Sequence, residues 1–215
     1  MAISKANFNS FNVTPSASKF ITFNSSNNGL AADDVGGNLK LLSTQTASSS
    51  ATISFTSGID STYKEYIFKF INIHPETNTT KLQINASADT GSNYNVTKTT
   101  TYFQAYHTES DSATALQYYA NRDLAQSTSA QQLKDIGNTS DDSAAGTLHL
   151  FNPSSTTFVK HFFSTFTGAT GESTQNLHNS FVSGYFNTTS AIDAIQFSMS
   201  SGNIDSGVIK MYGVL

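Results

Sequence analysis

The sequence predicts an all-β protein, an antiparallel β-sandwich of jelly-roll type with one long, partly helical connection. Three observations carry that prediction. About ten short apolar segments recur at roughly the 8–12-residue spacing of sandwiches and barrels, separated by Gly, Pro, Asn and Ser turn signals. The segment Glu65 to Ile73, EYIFKFINI, is apolar on both faces, as in a central strand covered on each side. The ending SMSSGNIDSGVIKMYGVL reads as a β-hairpin whose long connection is bracketed by Gly202 and Gly207, where positive φ angles cost little. No internal repeat points to a propeller or solenoid.

Taken in order, residues 1–17 form a polar arm with Phe8, Phe11 and Val13 as its apolar anchors, and a single domain follows over 18–215. Such an arm orders against a partner or against its own sheet. Phe20 to Phe23 is the first strand. Asn28-Gly29 and Gly36-Gly37 then mark turns. Asn38 to Leu42 and Ala51 to Phe55 are short strands, and Ser57-Gly58-Ile59-Asp60 turns into Glu65 to Ile73. There Tyr66, Phe68 and Phe70 share one face, and Ile67, Lys69, Ile71 and Ile73 share the other. His74-Pro75 is expected to end that strand, because proline donates nothing to the ladder.

Leu82, Ile84 and Ala86 alternate with polar residues in a half-buried strand, and Val96 to His107 gives a strand rich in Thr and Tyr. Between Ser112 and Gly137 the spacing changes. Ala113, Leu116, Tyr119 and Ala120, then Leu124, Leu133 and Ile136, follow helical intervals and predict short helical turns. Asn138 to Gly146 is a polar loop. Thr147 to Phe151 and Thr157 to Phe166 make a hairpin about Asn152-Pro153-Ser154-Ser155. Gly168 to Asn176 is a loop and Phe181 to Phe186 a strand. Ile195 to Met199 and Val208 to Tyr212 are the final pair.

Composition narrows the function. Charged residues make up 12% of the chain and the net charge is -4, whereas soluble domains average about 25% charged. Ser, Thr and Asn fill more than a third of the positions. The 11 Lys and Arg are scattered, and Arg122 is the sole arginine, so no basic patch is present to hold a nucleic-acid backbone. Without cysteine there is neither a disulfide framework nor a thiolate metal site, which suits assembly in a reducing bacterial cytoplasm. The opening MAISKANFNSFNVTP lacks an apolar leader segment, and no run is long enough to insert in a membrane. Seven Asn-x-Ser/Thr triplets occur, against roughly five expected by chance in so hydroxyl-rich a chain.

Catalytic patterns are absent from the sequence. The histidines (His74, His107, His149, His161, His178) show no zinc-site spacing, although His149 and His161 fall on adjacent expected strands. No Gly-x-Ser-x-Gly occurs. Asp33-Asp34 and Asp141-Asp142 sit in expected polar loops, where they suit solvated charge or a weak Ca²⁺ contact better than glycosidic cleavage. The expectation is a protein without enzymatic activity and without a cofactor. Tyr102, Tyr106, Tyr118 and Tyr119 cluster near the irregular connection. They are candidate receptor-facing aromatics, or else pack at a subunit seam.

Four segments carry a resemblance: Asn12 to Lys19; SFTSGIDSTYKEYIFKFINIHP (Ser54 to Pro75); FNPSSTTFVKHF (Phe151 to Phe162); and the ending SSGNIDSGVIKMYGV. In these the chain resembles small virion structural proteins, often described as tail-fibre proteins, of marine and cyanobacterial tailed phages. The resemblance implies a non-enzymatic protein of the virion surface, tail- or fibre-associated, contributing to host attachment. The alternative is a capsid decoration protein that cements the head at capsomer junctions. Implied partners are other virion proteins (tail or major capsid protein), further copies in a homotrimer, and a host surface glycan or protein.

Overall fold

The computed structural model describes residues 19–23, 30–34, 38–170 and 176–215. The chain divides into two compact units, Met1–Asn38 and Leu39–Leu215. In the first, β1 (Lys19–Phe23) pairs antiparallel with β2 (Leu30–Asp34). The first strand was expected and the second was not, since LAADD has little strand propensity of its own. Asp33 and Asp34 therefore end a strand rather than a loop. The anchoring residues Phe8, Phe11 and Val13, with the whole arm 1–17, lie outside the described residues.

The second unit is all-β and antiparallel. Numbered in chain order, its larger sheet has eight strands: β3 (Leu39–Ser50), β14 (Ile204–Val214), β5 (Glu65–Pro75), β10 (Ala144–Phe151), β11 (Lys160–Thr170), β12 (Asn176–Phe186), β7 (Lys98–Thr108) and β8 (Thr114–Tyr118). A smaller sheet has four, in the order β4 (Thr52–Phe55), β13 (Ala194–Met199), β6 (Thr80–Ser87) and β9 (Gln131–Ile136). Their apolar faces meet in one core. Phe197 on β13 sits edge-on to Phe68 and Phe70 of β5, at 5.4 and 4.9 Å between ring centroids, and 6.3 Å from Phe55 of β4. Leu82, Ile84, Leu148, Phe162 and Ile209 complete the packing from both sheets.

The last two strands are not a hairpin. β13 pairs with β4 and β6 in the small sheet, whereas β14 pairs with β3 and β5 in the large one. The chain crosses between sheets at residues 200–203, beside the equivalent crossing of β3 into β4 at Ala51. Two antiparallel runs thus turn the corner together, with Ile204 opposite Ser50 and Ser198 opposite Thr52. The crossing segment is bound to residues 76–81 instead of closing on itself. The Ser200 amide donates to the Lys81 carbonyl at 2.9 Å and the Asn203 amide to Glu76 Oε2 at 3.0 Å.

Two register shifts explain where the sequence pattern misleads. In β5, Asn72 adopts a φ of 50° opposite Gly207 at 127°, and the ladder to β14 slips at that point. A Cβ on Gly207 would lie 2.8 Å from the Asn72 carbonyl oxygen. The bulge reverses the alternation, so Ile73 joins Tyr66, Phe68 and Phe70 in the core instead of facing out with Ile71. The outer face is also less covered than its composition suggested, since Ile71 is exposed. His74 and Pro75 extend the strand, and Pro75 lies opposite Ile204.

The second shift lies in β9, against β6 between Leu82 and Gln83. It turns both Leu133 and Ile136 inward, and their interval of three imitates a helix. The expected helical connection is accordingly absent among the described residues. Residues 112–137 instead hold the edge strand β8, one 3-10 turn at Ala120–Arg122, and β9. Two expected loops are shorter than predicted: Ala144 already opens β10, and β11 runs to Thr170. The Asn152-Pro153 hairpin joins β10 to β11, with His149 opposite Phe163.

Phe197→Ala is expected to destabilise the protein by about 3–5 kcal/mol in urea unfolding, the range for deleting a fully packed core aromatic. Phe163→Ala, on the outer face and 42% exposed, should cost under about 1 kcal/mol.

Candidate functional site

The inner face of the large sheet changes character across its width. β5 sends Tyr66, Phe68 and Phe70 inward, but β7 sends Lys98, Thr100, Tyr102, Gln104 and Thr108, all buried. Strand alternation places these five on one face. Burying so many polar groups requires partners, and the connection from β8 to β9 supplies them. Thr100 Oγ1 donates to Gln131 Oε1 and accepts from the Leu124 amide. The Tyr102 hydroxyl donates to Gln104 Oε1 at 2.8 Å, and Gln104 Nε2 donates to the Tyr119 hydroxyl at 3.2 Å.

Arg122 is the hub. Its Nη1 donates to the Tyr102 hydroxyl at 3.0 Å and to Asp135 Oδ2 at 2.5 Å. The guanidinium carbon lies 4.9 Å from the centroid of the Tyr102 ring and 4.8 Å from that of Tyr119. Those two rings stand edge-to-face with centroids 6.0 Å apart, so they pack on adjoining sides of the guanidinium, and the bonds to Tyr102 and Asp135 hold it in place. Burial works against the Arg122 charge, but neighbouring Asp135 and Tyr102 outweigh it and raise the pKa. Burial, then Asp135, pushes the Tyr102 phenol up to about 12. Tyr102 stays a neutral donor.

Three lysines are fully buried on or near this face. Lys98 Nζ donates to the Ser129 carbonyl at 2.7 Å and Lys160 Nζ to the Thr188 carbonyl at 3.0 Å. Lys134, 1% exposed, has no hydrogen-bond partner for its ammonium among the described residues. Burial lowers its pKa to about 8, with Asp135 opposing that shift. His178 on β12 is pushed down to about 4, first by burial and then by Lys134, so its ring is neutral at physiological pH.

Beside this network opens a cleft of about 550 Å³, lined by Lys81, Gln104, Tyr106, Gln117, Tyr119, Arg122, Asp135, Thr170, Asn176 and His178, together with four smaller residues. Its walls come from β6 and β9 of the small sheet and β7, β8, β11 and β12 of the large one. Lys81 Nζ approaches Asp135 Oδ1 at 3.6 Å. Three buried lining oxygens, Asp135 Oδ1, Thr170 Oγ1 and Asn176 Oδ1, have no hydrogen-bond partner among the described residues. Arg122 Nε and Nη2 also remain unused by the described residues.

The four tyrosines singled out in the sequence separate. Tyr102 is wholly buried behind Arg122 and offers no contact surface. Tyr106 and Tyr119 line the cleft. Tyr118 is exposed, pairs opposite Phe103, and donates its hydroxyl to Asp123. Sequence reasoning missed Arg122, Asp135, Gln104, Asn176, His178 and Lys134. The available signal was the alternation Lys98-x-Thr100-x-Tyr102-x-Gln104 in a strand whose apolar residues, Phe103 and Ala105, fall on the opposite face, together with a solitary arginine. His149 does not meet His161: its Nδ1 lies 2.6 Å from Glu65 Oε1 and its ring stacks on Phe163 at 4.6 Å. No group of three His, Cys, Asp or Glu converges among the described residues. Asp141 caps a turn by accepting from Thr139, and Asp142 is buried.

No family model, curated protein or solved structure matches this chain.

Lys134→Met, close in volume, is expected to raise stability by about 1–3 kcal/mol at pH 7 by removing an unpartnered buried ammonium. The folded pKa of about 8 lies below the free value of 10.5, so the folded state holds the proton less tightly. The cost is fully present below pH 8 and fades as pH rises toward 10.5. Urea unfolding at pH 7 and pH 10 should show the advantage of the variant shrinking at the higher pH.

Proposed function

We propose that the chain is a non-enzymatic bacteriophage virion surface protein, tail- or fibre-associated, which contributes to host attachment through the polar cleft. In this reading the two facing sheets form a jelly-roll-like β-sandwich, assembled in the host cytoplasm and displayed on the particle. The observation that carries the recognition role is the pre-assembled wall of the cleft. Gln104, Arg122 and Tyr119 are locked by each other before any ligand arrives, and that lowers the entropic cost of binding. Cleft chemistry favours binding over catalysis. Its one carboxylate, Asp135, is already engaged by Arg122, while glycosidic cleavage calls for a pair. The virion setting comes from the resemblance of the four sequence segments.

A separate observation favours assembly into a homotrimer and keeps the capsid-decoration reading alive. The outer face of the large sheet bears a band of rings. Phe103 stacks on Phe181 at 4.9 Å, and Phe163 stacks on His149, with Phe103, Phe163, Leu116 and Tyr118 exposed. An apolar band of this kind suits a protein interface. With so few charges nearby, it suits contact between copies or with a coat subunit.

Two measurements discriminate. Quantitative mass spectrometry of purified virions should give a few dozen copies or fewer if the protein sits on the tail; hundreds would place it on the capsid and end the attachment reading. Purified full-length protein should also slow adsorption of phage to its host. In sedimentation, Phe103→Glu should shift the protein from trimer to monomer with its thermal stability little changed.

A further inference from the structure

Building on the recognition reading, we propose that the cleft binds a carboxylated saccharide, a uronate-type ring whose acid group meets Arg122 and Lys81. The charges around the cleft do not balance. Among the described residues the cleft lining holds two cations, Lys81 and Arg122, and one carboxylate, Asp135, while buried Lys134, which does not line the cleft, adds a further positive charge beside them. Asp123, the next acid along the chain, is turned away: its oxygens accept from the Tyr102 amide and the Tyr118 hydroxyl. His178 adds no charge in its neutral form. An anion entering the cleft therefore meets an excess of positive charge in a partly dehydrated setting, where attraction is strongest.

Geometry names the kind of anion. The Arg122 guanidinium is held by its Nη1 bonds to Tyr102 and Asp135 and lies 4.9 and 4.8 Å from two tyrosine rings that stand edge-to-face, while its Nε and Nη2 carry no bond to described residues. That edge is pre-set for the two oxygens of a carboxylate. The rest of the lining is hydroxyl and amide: Gln117, Thr170 and Asn176, with the Tyr106 ring beside them. Asn176 Oδ1 is an acceptor without a donor and Thr170 Oγ1 is unpaired in both roles, and both residues are more than nine-tenths buried. Sugar hydroxyls donate and accept at one atom, so a ring carrying several matches both groups once the Thr170 and Asn176 side chains turn toward the cleft. A ring C–H face laid on Tyr106 supplies the apolar contact. Among the described residues the cleft lining offers no deep apolar slot for a base or an acyl chain.

The test is titration calorimetry on the full chain with D-glucuronate, D-glucose and inorganic sulfate. Glucuronate should bind saturably and glucose about tenfold or more weaker, the difference of a charge-assisted contact. Sulfate should bind weaker than glucuronate. Arg122→Gln should lose glucuronate binding. Because Arg122 also braces Asp135, Lys81→Gln at the rim serves as the second variant, with about threefold or greater weakening and unchanged melting. Lys69→Gln, on the outer face, should bind as the native protein does.

Equal binding of glucose and glucuronate would overturn the charge argument, sulfate matching glucuronate would overturn the saccharide, and no binding by any of the three would overturn the proposal whole. The recognition reading is judged separately. If Arg122→Gln and Lys81→Gln protein no longer slows phage adsorption although no sugar binds, the cleft recognises some other ligand. If both variants still block, the cleft is not the attachment surface.

Discussion

A mismatch in width between two sheets governs this structure. Eight strands face four, so the small sheet can bury only part of the large sheet's inner face. Phe197 and its ring contacts to Phe55, Phe68 and Phe70 fix where the overlap lies, over β5 and its neighbours. β9, the last strand of the small sheet, packs against β11 and β12. Beyond it the inner face of β7 is covered largely by the chain between β8 and β9, with Gln131 of β9 reaching Thr100. An irregular segment cannot offer a continuous apolar surface with its backbone groups satisfied. The face it covers is therefore built from groups that bond to backbone and to one another.

That substitution has a consequence for stability. Hydrogen-bonded polar networks exchange protein bonds for water bonds and gain little net free energy. An unpartnered ammonium such as that of Lys134 subtracts from it. The apolar half around Phe197 must then carry the folding free energy for both halves. The polar half persists because its geometry is determined many times over: Tyr102 alone is tied through its hydroxyl to Gln104 and Arg122 and through its amide to Asp123. Division of labour between a stabilising half and a polar half is what lets a small domain keep an open cleft.

The fold class was legible because alternation and turn residues are local signals. Glu65 to Ile73 announced a central strand, and Asn152-Pro153 announced a hairpin. What escaped were features that depend on a distant partner. Ile73 changes face only because Gly207 and Asn72 meet across two strands far apart in sequence, and Leu133 and Ile136 mimic helical spacing only because β9 slips against β6. The final strands looked like a hairpin because each is a good strand; which sheet takes each one is set by residues 76–81 and by β3. In the site, tyrosines drew attention by type, yet burial decides their use. Tyr102 and Tyr118 are separated by the pairing of β7 with β8, which no local pattern encodes. Arg122 stood out only as the single arginine, and its role follows from Tyr102, Tyr119 and Asp135, which the fold gathers around it.

The clamp on Arg122 also bears on how selective the cleft can be. A lysine at this place would be a flexible point charge, indifferent to the shape of the anion it met. A guanidinium held by two Nη1 bonds and the neighbouring rings presents one edge in one plane, so an acid group whose oxygens lie out of that plane forfeits a hydrogen bond. Rigid placement costs the folded state, since Arg122 and Lys134 are partly or wholly stripped of water before any ligand is present. In the proposed reading, discrimination against neutral ligands is set during folding, by charge left uncompensated among Lys81, Arg122, Lys134 and Asp135, and an anionic ligand would complete the electrostatics that the chain leaves open.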